Sequence, residues 1–303
     1  MPRALIRLGV AFLALWGLVT VAAAFALPSL LLASGTPQRT EPERAAILER
    51  LRAPDSTWTE ARIPSGGGAE LHLHLLHRRA AKGVAILLHG FGDDAFGTAP
   101  RANDLPEWDA LVFTFRGRDE HPEVPCTLGG WERTDVVAAV RYLEAQGVPR
   151  SRIVLVASSM GAGIALLALS DLERSGAKLG GALLESPFED LGAAARDHVR
   201  GTVGAVEWVL RPGEYLAMAR AGQLARFDPS RVSPLEASRG LRTPLALLAG
   251  DADTITPIGG VRKIAQQGYP LTIVRGANHL EAGARVPGGF RAWSSRWLAA
   301  WGF

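Results

Sequence analysis

Residues 153–163 read IVLVASSMGAG: five apolar residues, a pair of serines, then a methionine among small residues. A short unbroken apolar run fits a strand buried on both faces, and the residues after the serines have the composition of a helix start. A helix cap needs only one hydroxyl. A nucleophile on a tight strand-to-helix turn asks for more: its backbone is strained, and the residues two before and two after it must be small for neighbouring chains to pass. For Ser159 those positions hold Ala157 and Gly161; for Ser158 they would hold Val156 and Met160, both too large. Ser159 is therefore the candidate nucleophile. The pattern departs from G-x-S-x-G at its first position, where Ala157 adds a methyl, and a simple N-cap is the alternative reading.

Outward from this turn the same kind of run recurs. VAILL (84–88), LVFTF (111–115), ALLE (182–185), PLALLAG (244–250) and PLTIVRG (270–276) alternate with helix-period stretches at 132–147, 160–176 and 259–268. Strands apolar on both faces and separated by helices imply an α/β fold with a mostly parallel, doubly wound sheet and helices on both faces. Ahead of it, ARIP, SGGGA and ELHLHLLH predict a hairpin, so the domain is expected to run from Thr57 to Phe303.

In such sheets reactive groups collect beyond the carboxyl ends of the strands. There the sequence has HGFGDD after 84–88, SSMGAG after 153–157, DADTITP after 244–250 and ANHL after 270–276. A serine hydroxyl needs a base within hydrogen-bond reach, and of the seven histidines only His279 lies in a short polar loop after a late strand. The base needs a carboxylate. In G-x-x-D-x-x-x-P, Gly250 ends the strand and Pro257 opens a helix, which puts Asp253 at the loop apex. Asp251 and Glu185 are the alternatives, with Asp251 better suited to capping the turn. His89 is expected to pack the turn after its strand.

With these residues in place, the stretch from Thr57 to Phe303 resembles the α/β-hydrolase superfamily, whose chain order is Ser, acid, His. LLHGFG resembles its oxyanion loop, which implies amide donors from Phe91 and Met160. LESPFEDL, DPSRVSPLEA and LLAGDADTITP are similar to single-domain serine aminopeptidase-like and prolyl-oligopeptidase-like hydrolases. The resemblance implies the α/β-hydrolase fold and a serine hydrolase with Ser159, Asp253 and His279 as catalytic residues. The expected substrate is a small carboxylic ester, or in the alternative reading a peptide cut by an aminopeptidase-like enzyme. A second alternative is a non-catalytic, membrane-tethered binding domain.

The rest of the chain bounds these readings. The formal charge is only +3, with arginines scattered and no basic block, so no nucleic-acid partner is expected. Cys126 is the single cysteine, which excludes an internal disulfide and a CxxC pair. From Leu8 to Leu27 no charge occurs, and about 20 residues at 1.5 Å each cross roughly 30 Å of hydrocarbon. Residues 1–34 are accordingly expected to be a membrane-anchoring helix that contacts the lipid bilayer. Arg3 and Arg7 lie on the cytoplasmic side and the catalytic domain outside; a signal peptide cleaved after AFA (24–26) is the competing reading. A similar anchor precedes membrane-tethered α/β-hydrolase-domain proteins. Residues 35–56 read as a polar stalk containing a short helix.

An insertion at about 190–234 is expected to form a small helical cap, in which Trp208, Val209, Tyr215 and Met218 either line an acyl pocket or pack the cap down. Asp93 and Asp94 fit helix capping, or else selection of a cationic substrate. Trp293, Trp297 and Trp301 recur every four residues as a core stripe, the alternative being a membrane contact. His72 and His74 share a strand face and could hold a metal. Their alternation with Leu71, Leu73 and Leu75 instead predicts a solvated face, so no metal and no cofactor are expected.

Overall fold

Strong burial of consecutive side chains, with nothing for water on either face, makes the apolar runs central strands. The computed structural model describes residues 2–32, 38–51, 55–117, 124–176, 178–204 and 207–303. The expected ends of the anchor at 33–34, of the stalk at 35–37 and 52–54, and of the cap at 205–206 lie outside the described residues. The strands are β1 (Ser56–Pro64), β2 (Glu70–Arg78), β3 (Val84–Leu88), β4 (Asp109–Phe113), β5 (Ile153–Ser158), β6 (Gly181–Glu185), β7 (Leu245–Gly250) and β8 (Leu271–Val274). They form one sheet in the order β1-β2-β4-β3-β5-β6-β7-β8. The first two pairings, β1 with β2 and β2 with β4, are antiparallel and all others parallel.

The described helices are α1 (Pro2–Leu32), α2 (Glu41–Arg50), α3 (Ala95–Thr98), α4 (Glu132–Ala145), α5 (Met160–Arg174), α6 (Leu191–Val203), α7 (Glu207–Ala225), α8 (Pro234–Ala237), α9 (Ile258–Ala265), α10 (Ala282–Arg285) and α11 (Gly289–Ala300). They cover both faces. Leu71, Ile86, Leu155 and Leu184 meet α4, α5 and α9 on one side. Leu76, Leu87, Val154 and Leu183 meet α3, α10 and α11 on the other. Trp293 of α11 is buried there and its indole donates to Thr272 Oγ1 at 3.0 Å, while Trp297 and Trp301 pack against the same core. That burial makes the tryptophan stripe a packing feature.

Residues 35–56 differ from an extended stalk. Within them α2 folds back onto the domain through Ile47, Leu48 and Leu51, and Trp58 Nε1 donates to the Leu48 carbonyl at 2.9 Å. At its start the Glu43 carboxylate accepts from the Thr40 amide at 2.7 Å, half of a capping box.

The face of β2 that carries His72 and His74 differs from the solvated face its alternation predicts. His74 is 4% exposed, its ring 5.1 Å from that of Phe96 on α3. Burial, and then the neighbouring His72, push its pKa down to about 4, so the ring is neutral.

The anchor is not free of the domain either. The first half of α1 is exposed all round, but from Trp16 onward one helical face, Trp16, Thr20, Ala23, Ala24, Leu27 and Pro28, is covered. Its cover is α7. Trp16 Nε1 donates to the Val209 carbonyl at 2.8 Å, and the Arg220 guanidinium lies 4.4 Å from the Phe25 ring centroid. A Cβ on Gly213 would come within 2.9 Å of Ala23 Cβ, so the absent side chain allows this close approach.

Candidate active site

Ser159 begins at the carboxyl end of β5 and N-caps α5 with φ 52° and ψ −118°. A non-glycine residue in this region is strained, and surrounding structure must hold it there. One restraint is its own amide, which donates to the Glu185 carbonyl of β6 at 2.8 Å. Another is the absence of a side chain at Gly161, where a Cβ would meet the Leu88 and His89 carbonyl oxygens at 2.6 Å. The helix therefore enters directly against β3. Its Ser159 side chain makes no capping hydrogen bond to α5; the hydroxyl turns elsewhere.

It meets His279, which lies beyond β8, with Oγ 3.0 Å from Nε2. Nδ1 of the same ring lies 2.8 Å from Asp253 Oδ2, after β7. The carboxylate must accept, so Nδ1 carries the proton and Nε2 presents its lone pair to the serine hydroxyl. Asp253 is itself fixed: Oδ1 accepts from the Ile255 and Thr256 amides at 2.9 and 2.8 Å, and Oδ2 from Thr256 Oγ1 at 2.9 Å. Burial pushes its pKa up, but the hydrogen bonds from His279 and Thr256 outweigh this and hold it below the usual aspartate value.

The two alternative carboxylates are engaged elsewhere. Glu185 accepts from the Gly283 amide at 2.7 Å and pairs with Arg101 Nη2 at 3.2 Å; its burial raises its pKa. Asp251 accepts from the Gly276 amide, closing its turn. Thr256 is not among the residues that sequence reasoning singles out, although a Thr three residues after Asp in a turn is a local signal for such bonding.

The loop after β3 lies against this line, with Gly90 packed on the Ser159 side chain. Phe91 comes next, 48% exposed, and Met160 is the first residue of α5 with its side chain buried. His89 is fully buried in the turn: Nε2 accepts from the Phe115 amide at 3.0 Å, so Nδ1 bears the proton and donates to the Gly90 carbonyl at 2.8 Å. Asp94 caps α3, accepting from the Gly97 amide at 2.7 Å, and Arg39 Nε donates to it at 2.8 Å. A capping acid neutralised by its own chain offers little to a cationic substrate.

The cap leaves from β6 at the same rim of the sheet, but the structure does not gather its three singled-out residues into one wall. Trp208 and Tyr215 stand 68% and 77% exposed on α7, whereas Met218 packs the cap onto Leu167 and Phe188.

No family model matches the chain. An acetyl-hydrolase of Streptomyces hygroscopicus is 34% identical over 124 residues, a match spanning 40% of this chain and 40% of that relative. A solved esterase structure from Pyrococcus furiosus superposes with a TM-score of 0.67 at 18% identity, over 88% of this chain and 97% of that one. A puromycin-hydrolysing peptidase of Mycobacterium tuberculosis gives 0.58 at 17% identity, over 82% of this chain and 39% of that one. At these identities the solved structures speak for architecture, and with the strand order above they identify it: the chain has the α/β-hydrolase fold.

Proposed function

We propose that the protein is a serine hydrolase that cleaves carboxylic esters through an acyl-enzyme. One observation carries this reading: Ser159, His279 and Asp253, from three separate loops, stand in one hydrogen-bonded line at a strained strand-to-helix turn. As Ser159 Oγ attacks the acyl carbon, His279 Nε2 takes its proton, and Asp253 stabilises the imidazolium that forms. The developing oxyanion is received by the amides of Phe91 and Met160, each such donor being worth about 100- to 1,000-fold in turnover. His279 then returns the proton to the leaving alcohol, and water enters by the same path to release the acid. No step requires a metal or cofactor.

Esters are favoured over aminopeptidase substrates because Asp94 is occupied by α3 and Arg39. The name of the curated relative and the esterase neighbour support the same choice, and the peptidase neighbour keeps the second reading alive. A fluorophosphonate probe that labels wild type and not Ser159→Ala supports catalysis; no labelling supports a binding domain. A p-nitrophenyl ester series set beside aminoacyl-amide substrates then separates esterase from peptidase.

The helix Ile6–Ser29 has the length and composition to cross a bilayer, its 24 residues spanning about 36 Å. Because α7 runs beside the second half of α1, anchoring α1 in lipid brings the cap to the bilayer surface. The outward row of α7, Trp208, Tyr215, Leu216 and Leu224, is exposed and largely apolar, suited to the headgroup region. In this reading the enzyme works on ester substrates at the membrane, with its catalytic domain on the extracytoplasmic side.

A further inference from the structure

Glu60, His72 and His74 bring three ligand atoms to one face of the β1–β2 hairpin, all within 4.8 Å of one another. The register explains why. Glu60 is paired directly with His74, and His72 lies two residues along the same strand, so the three side chains rise from one side of the ladder. His72 Nε2 is 3.0 Å from Glu60 Oε2, and His74 Nδ1 is 3.4 Å from Glu60 Oε1.

His74 demands an account of its own. Its side chain is 5% exposed, yet neither ring nitrogen makes a hydrogen bond, and the approach to Glu60 lacks the alignment that one needs. Buried polar atoms in native proteins nearly always have a partner. Two neutral imidazoles and a carboxylate are the donor set of a first-row transition metal, above all Zn²⁺.

We infer that Glu60, His72 and His74 form a divalent transition-metal site, of the type that binds Zn²⁺, on the outer edge of the sheet. Donors around tetrahedral zinc stand about 3.3 Å apart. Two of the three separations are already close to this, and the histidine pair closes by rotation of the His72 side chain, which is the more exposed of the two rings. Glu60 is 57% exposed, leaving a way in for the ion and room for a water as fourth ligand.

Among the described residues Arg44 of α2 is the cation that acts on His74, and its charge opposes binding; Glu41 pairs with it at 3.4 Å, and the Glu60 carboxylate offsets it at the site. The site is separate from the Ser159 line. From β2 to β5 the sheet steps across β4 and β3, about 14 Å in all at strand spacing. A metal here clips β1 to β2 and takes no part in acyl transfer.

The test uses the full chain without an affinity tag, stripped with chelator and held in detergent. Zn²⁺ is titrated in competition with a chromogenic chelator. One ion per chain is expected, with affinity reduced about 100-fold or more in His72→Ala and in Glu60→Gln, since loss of even an outer-shell partner costs 10- to 100-fold. Both positions reach the surface, so both variants are expected to fold and to hydrolyse esters at the wild-type rate. Zn²⁺ should also raise the melting midpoint of wild type and leave that of His72→Ala in place. Absence of saturable binding, or binding undiminished in both variants, overturns the site.

Discussion

Asp253 Oδ2 lies 2.8 Å from His279 Nδ1 and 2.9 Å from Thr256 Oγ1, so one carboxylate oxygen serves ring and hydroxyl together. Thr256 Oγ1 is in turn 3.2 Å from Nδ1. This arrangement lets the imidazole neither flip nor change tautomer without losing two bonds. Asp253→Asn presents an amide where the ring needs an acceptor, and turnover should fall about ten-thousand-fold. Glu185→Gln should leave most activity in place, because that carboxyl is committed to Arg101 and Gly283. Steady-state ester hydrolysis by the two variants decides it; a silent Asp253→Asn would transfer the role to another carboxylate.

The serine assignment makes its own forecast. Ser159→Ala should lower turnover about a million-fold, since the remaining members of such a unit accomplish little without the nucleophile. Ser158→Ala should be nearly silent, because that residue belongs to β5 and its side chain is not in the line. Equal losses in both variants would refute the steric choice between them.

Acid should weaken the pairing of Asp253 in a defined window. Its native pKa is held below the unfolded value, so its contribution to stability is complete above about pH 4 and is lost as the pH falls through the native pKa. In unfolding measured from pH 7 to pH 3, the stability gap between wild type and Asp253→Asn should stay constant down to about pH 4 and narrow below it. A gap that persists undiminished at pH 3 contradicts the pairing.

The sheet is legible from the chain because β3, β5, β6 and β7 are buried on both faces, and a run such as VAILL admits no amphipathic alternative. The rim is legible for a related reason: glycines and polar residues crowd the ends of those runs. Docking is not legible. α1 is apolar on every side, so its composition cannot say which face α7 covers. α2 spends only Ile47, Leu48 and Leu51 on the domain, too few to mark it as packed. The burial of His74 follows from that unseen cover, and alternation with leucines alone points the other way.

His89 supplies a positioning prediction. It bridges the Phe115 amide and the Gly90 carbonyl, and so fixes the turn that presents the Phe91 amide. His89→Ala should loosen the turn and lower kcat by about 100-fold with KM little changed, the penalty expected of a displacement near 1 Å. Fluorophosphonate labelling should slow in parallel while the protein stays folded by circular dichroism. Unchanged kcat in a folded variant removes His89 from any part in setting the oxyanion site.

The contact between anchor and cap can be broken without touching either end of the chemistry. Gly213 sits where a Cβ would come within 2.9 Å of Ala23, so Gly213→Leu cannot be accommodated unless α1 and α7 separate. The apolar length of α1 is untouched and the variant should remain with the membrane fraction. What changes is the cap, which loses its fixed station at the lipid surface. Hydrolysis of an ester embedded in vesicles should fall several-fold, while a short soluble ester is turned over at the wild-type rate. Trp208→Ala with Tyr215→Ala should act in the same direction, since these two rings are the exposed aromatic contacts of α7. Equal rates on both substrates in all variants would mean that the α1–α7 packing has no bearing on access to the site.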